Sequence, residues 1–145
     1  MKLFVNVRAV LWIGLVLTST TALLSQDKVQ AKAAPISYKA TIEGLVRDVY
    51  CPMKNHKSTS TDFNLECAME CAKSGSPLII LTKSGDMYIP MSDEMPDLSQ
   101  REKMLPFVGK QVRVKGTVYR RNGTRTIVIE EITEVMGVKV NTKLE

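Results

Sequence analysis

The stretch "LPFVGKQVRVKGTVYRRNGTRTIVIEEITEV", residues 105–135, decides the fold. Val112, Val114, Gly116 and Val118 fall on one face, and Arg113, Lys115, Thr117 and Tyr119 on the other. That period of two is a strand with one side buried. Asn122-Gly123 is the residue pair that type I′ hairpin turns select, because both central positions need positive φ. Ile127 and Ile129 resume the alternation on the return strand, so the segment predicts a long β-hairpin. Just upstream, a short helix is expected over Ser99–Leu105, broken by Pro106.

Working outward, "PLIILTKSG" from Pro77 and "MYIPMS" from Met87 are two short apolar runs across a Ser84-Gly85-Asp86 turn, which predicts a second hairpin. The stretch from Ala40 to Cys51 and Pro52 reads as a first strand, with apolar Ile42, Val46 and Val49 and a bulge or bend at Gly44. Residues 53–64 are polar and rich in Ser and Thr, so a loop is expected there. Asp62 or Asn64 is placed to cap a following helix that Gly75 and Pro77 close. The order is strand, helical insertion, strand, strand, short helix, strand, strand. It resembles the OB-fold, and the fold class expected is mainly β, a five-stranded OB-fold-like Greek-key barrel. One helix insertion separates strands 1 and 2, and a short helix separates strands 3 and 4. "LPFVGKQVRVKGTV" is similar to the passage from helix into fourth strand in many OB domains.

Before the barrel, Lys2 and Arg8 precede the apolar run "AVLWIGLVL", residues 9–17, and "AKA" ends at Ala33. This has the form of a secretory signal peptide with an A-x-A cleavage site. The alternative, a retained membrane anchor, needs about 20 apolar residues, more than the run supplies. The organisation expected is a signal peptide over 1–33, a tether over 34–39, the barrel domain over 40–138 and a C-terminal tail over 139–145. The protein is then periplasmic or extracellular, and membrane-bound only if the leader stays. Lys2, Arg8, Lys28, Lys32 and Asp27 leave with the leader, which takes 20 basic and 15 acidic residues to 16 and 14, and the formal charge from +5 to about +2. The basic precursor therefore argues little for a nucleic-acid partner.

Gly44, Val46, Asp48 and Cys51 form a G-x-V-x-D-x-x-C strand, and Cys67, Ala68, Cys71 and Ala72 a C-A-x-x-C-A helix, followed by Gly75 and Pro77. In these motifs residues 40–138 resemble small exported bacterial OB-fold proteins. The resemblance implies the barrel and the compartment.

The three cysteines, Cys51, Cys67 and Cys71, are the chemistry-bearing residues. On a helix, Leu65, Ala68, Met69 and Ala72 make the stripe that packs on the barrel, while Cys67 and Cys71 lie together on another arc. Small buried hydrophobes are the plain reading of such cysteines. A disulfide within the helix needs distortion, because Cβ atoms at i and i+4 are not aimed at each other. A bridge from Cys51 to either helix cysteine closes a loop of about 16 to 20 residues, worth roughly 3 kcal/mol, and leaves one thiol over. As a metal site, Cys51, Cys67 and Cys71 with His56 would make the Cys3His set of tetrahedral zinc. Thiolates with a thioether from Met53 or Met69 suit copper(I). The C-x3-C pair with a remote histidine also resembles the copper site of the Sco chaperones, in chemistry and not in fold. Asp48 and Glu70 have two placements open to them, near the cysteines where they would tune the thiols or solvated at the surface, and solvation is the expectation for each.

An OB barrel also offers a binding face for nucleic acid, oligosaccharide or a protein partner in the cell envelope. Here that face would use Tyr88, Tyr119 and the arginines around the Asn122-Gly123 hairpin tip between strands 4 and 5, Arg120, Arg121 and Arg125. Its second and third strands carry one aromatic and one lysine, a poor platform for phosphates, so nucleic acid is disfavoured. No catalytic serine arrangement or nucleotide loop is present, and a single histidine serves any proton transfer. A thiol oxidoreductase would lack the usual C-x-x-C geometry. The expectation is a soft-metal or redox-responsive thiol cluster of Cys51, Cys67 and Cys71, serving binding and not turnover.

Overall fold

The computed structural model describes residues 36–94 and 100–144. The leader expected over 1–33 lies outside them. Five strands close a barrel in the order β1-β2-β3-β5-β4, with β4 returning to β1. They are β1 (Ile36–Asp48), β2 (Leu78–Leu81), β3 (Met87–Met91), β4 (Gln111–Arg121) and β5 (Thr124–Glu134). All neighbours are antiparallel except β3 with β5. This is the OB-fold-like Greek-key barrel the sequence predicts.

The alternating residues fill the barrel as the pattern requires. Val112, Val114 and Val118 of β4 and Ile127 and Ile129 of β5 are buried together with Ile42, Val46 and Ile80. Asn122 and Gly123 take φ of 48° and 85° between β4 and β5, the positive values of a type I′ turn. Upstream of β4, α3 (Arg101–Met104) passes into a 3-10 turn over Leu105–Phe107, so Pro106 tightens the chain after the helix, and fully buried Met104 joins the core.

Gly44 sits where β1 changes partner. Residues up to Leu45 pair with β4, and Leu45–Asp48 pair with β2. A Cβ at Gly44 would lie 2.5 Å from the Leu81 carbonyl oxygen, so the corner requires glycine. The register shift itself falls elsewhere. Lys115 faces Glu131 while Gly116 faces Ile129, which leaves Glu130 as the extra residue of a bulge. A Cβ on Gly116 would overlap the carbonyl oxygen of Val128. Gly116→Ala is expected to force β4 and β5 apart at a cost of about 1–3 kcal/mol, read as a lower urea midpoint with an unchanged slope.

Two boundaries differ from the sequence expectation. The strand begins at Ile36, so most of the segment read as a tether is β1, paired Ile36 to Arg120 through Lys39 to Thr117. The strand stops at Asp48, and Cys51 belongs to a short helix, α1 (Tyr50–Lys54), with Pro52 in its first turn where no intrahelical N–H is needed. The tail is fastened along the insertion loop. Phe63 N–H donates to the Asn141 carbonyl (2.9 Å), Asn141 N–H to that of Thr61 (2.7 Å) and Leu65 N–H to that of Thr142 (3.1 Å).

The insertion helix α2 (Leu65–Lys73) is capped by Asn64, whose Oδ1 accepts the Cys67 N–H at 2.8 Å. Gly75, at φ 90°, ends it. Arg101 donates to the carbonyls of Ser76 and Ala72 and so ties α3 to the end of the insertion helix. The apolar stripe is narrower than expected: Ala68 and Ala72 are buried, while Leu65 and Met69 stay partly exposed at its margins. Ala68, Phe63 and Leu45 form a second small core on the outer face of β1. No helix among the described residues is long and apolar enough to cross a membrane.

Candidate metal centre

Covering the outer face of β1 buries its last residues from both sides. Val46 faces the barrel, while Arg47 and Asp48 are 0% exposed. A buried charge must be paired and hydrogen-bonded. One Arg47 guanidinium nitrogen donates to Ser58 Oγ (2.7 Å), and the other reaches Asp48 Oδ1 (3.3 Å). The Phe63 ring lies 5.7 Å from the guanidinium carbon, a cation–π contact. The second Asp48 oxygen accepts the Cys51 N–H at 2.9 Å and so fixes the start of α1. Asp48 is therefore the anchor of the first cysteine and not the solvated carboxylate expected. Glu70 is solvated, beside Lys73. Val49 N–H donates to the Pro77 carbonyl at 3.0 Å, tying α1 to the end of the insertion.

The result is a cluster of three thiols. Cys51 comes from α1, and Cys67 and Cys71 are one turn apart on α2. The three Sγ atoms lie within 4.8 Å of one another, and Cys51 Sγ is 3.1 Å from Cys67 Sγ. All three are half-buried and free. Among the described residues this is the one group of three or more His, Cys, Asp or Glu donors with metal-site spacing.

Burial, the contact with Cys67 and the negative charge of Asp48 push the Cys51 thiol up to about 12, with Arg47 acting against them. Burial first and Asp48 second raise Cys71 as well. The Cys51 and Cys71 thiols therefore keep their protons at neutral pH unless a cation replaces them. For stability the sign is clear. The folded state holds the Cys51 proton more tightly than the unfolded chain, so the associated stability is present below the ordinary thiol value of 9.0 and is lost as pH rises towards about 12. In metal-free protein the urea midpoint is expected to fall across that alkaline window, and less steeply in Cys51→Ser.

His56 is not part of the cluster. Asn55 N–H closes α1 onto the Cys51 carbonyl, Ser58 N–H donates to the Asn55 carbonyl, and His56 is left exposed in the turn between. Met53 is also exposed, at 67%. The residues expected on a barrel binding face are likewise separated. Tyr88 points into the core with 9% exposure, where burial raises its hydroxyl, so it is not available for stacking. Tyr119 donates to Asp93 (3.3 Å), Arg125 pairs with Asp86 (2.9 Å), and Arg120 and Arg121 extend into solvent at the hairpin tip. Sequence reasoning did not foresee Arg47, since a strand arginine carries no signal that a distant helix will cover it.

Fold and donor set together define an OB-fold-like barrel with a helical insertion that carries a three-thiol cluster. No family model, curated protein or solved structure matches the chain.

Proposed function

We propose that this is an exported binding protein that holds one soft metal ion, copper(I) or zinc, on the sulfurs of Cys51, Cys67 and Cys71. The observation that carries the reading is the convergence of three Sγ atoms within 4.8 Å from two separate helices. Thiolate sulfur selects copper(I) and zinc over harder cations. Three sulfurs satisfy trigonal copper(I), and they leave zinc one open position. Binding exchanges thiol protons for the ion, so affinity rises with pH below the thiol pKa values.

The 3.1 Å approach of Cys51 to Cys67 favours a second reading. Exchange with a disulfide oxidant would join these two sulfurs, pass two electrons and two protons to the oxidant, and leave Cys71 as a thiol. Protein purified without reductant separates the two. Thiol titration after denaturation in the presence of a chelator, with elemental analysis, gives three thiols and one equivalent of metal on the first reading. One thiol and no metal supports the second and overturns the first.

A further inference from the structure

A cavity of about 240 Å³ opens beside the cluster, room for about eight water-sized groups. Cys51 and Cys67 are in its wall, together with Arg47, Lys54, Ser58 and Asn64, and no acidic side chain among the described residues lines it. Two features mark it as a site for a ligand. Arg47 is fully buried, its two terminal nitrogens are bonded, and its Nε has no partner. A buried donor left unmade costs stability unless something fills the place. Lys54 stands at α1, 6.0 Å from the centroid of the Tyr50 ring, and forms none of the ion pairs found among the described residues. The pocket thus combines cationic and neutral donors with two sulfurs in one wall lining.

We infer that this pocket takes a small thiol bearing a carboxylate, which would place its sulfur on the metal of the three-thiol centre and its carboxylate against Lys54 and Arg47. The inference rests on the metal reading above. Zinc held by three sulfurs keeps one position open for a fourth donor, and carboxylate is an anion that guanidinium and ammonium groups hold through charge-assisted hydrogen bonds. Binding is a ligand addition: the incoming thiol gives its proton to solvent, and no electrons are transferred. Nothing in the pocket favours a neutral thiol of the same reach.

Cobalt(II) is the probe, because its thiolate charge-transfer bands report the three protein sulfurs and its visible bands report the fourth ligand. The cobalt-loaded protein is titrated with mercaptoacetate and, separately, with mercaptoethanol. Mercaptoacetate is expected to shift the visible bands with half-saturation about tenfold lower than mercaptoethanol. Lys54→Gln, a change at an exposed position, should abolish that preference and leave the charge-transfer bands intact. Visible bands that do not move, equal half-saturation for the two thiols, or cobalt stripped from the protein would each overturn the pocket inference while leaving the three-sulfur centre standing. Absent charge-transfer bands would remove the centre itself, and the pocket inference with it.

Discussion

Asp48→Ala is expected to cost the folded domain about 3–5 kcal/mol, the effect of removing one partner from a buried ion pair. Both members are fully excluded from solvent, 3.3 Å apart. With Asp48 gone, Arg47 keeps its full charge in a site where Ser58 Oγ is its remaining hydrogen-bond acceptor and the Phe63 ring its remaining contact. The Cys51 N–H loses its acceptor at the same time. The pair as a whole is a different matter, because desolvation consumes much of what its attraction supplies. Replacing both members, as Arg47→Met with Asp48→Leu, should therefore recover a large part of the loss. Guanidinium denaturation of the two variants measures the difference at matched slopes. A loss below about 1 kcal/mol in Asp48→Ala would show that the pair is solvated in solution, as exposed pairs are.

The second large effect concerns the thiols. Cys51→Ser, Cys67→Ser and Cys71→Ser are each expected to weaken zinc or copper(I) binding by about a hundredfold or more, because each ligand holds a share of a binding energy on the order of 10–16 kcal/mol in closed thiolate sites. A competition titration against a chromophoric chelator reads this directly. The three losses should be comparable, since each sulfur lies within 4.8 Å of the other two. His56→Ala should leave affinity unchanged, because the turn after α1 keeps the imidazole exposed and outside the cluster. In the unaltered protein, affinity should increase with pH through neutrality. The thiols of Cys51 and Cys71 are raised, so a metal ion must displace protons from them. Affinity independent of pH, or one cysteine that can be replaced without loss, would mean that fewer than three sulfurs bind.

The parts of this arrangement that could be read in advance are those where side chains report their own environment. β4 and β5 bury every second residue, and their turn uses the residues its backbone demands, so the hairpin was visible in the letters. The first part of β1 was not. Ile36 is 61% exposed and Tyr38 is exposed too, so no apolar face marks this segment. Backbone pairing with the far end of β4 makes it a strand. The same holds for the tail, whose role lies in main-chain hydrogen bonds to the loop before α2. At the site, the spacing of Cys67 and Cys71 placed two sulfurs on one helical arc, and the topology brings Cys51 to them. Arg47 was hidden from the letters for a related reason. Local alternation puts Arg47 on the outer, solvated side of β1, and only the packing of Phe63 and α2 over that face makes it interior.

X-ray absorption at the metal edge counts the protein sulfurs around the bound ion. Protein loaded with one equivalent of zinc and freed of small thiols should show three sulfur scatterers at about 2.3 Å, with one lighter oxygen or nitrogen neighbour in the open position. One sulfur or none, with the remaining neighbours oxygen or nitrogen, would contradict the three-thiol centre.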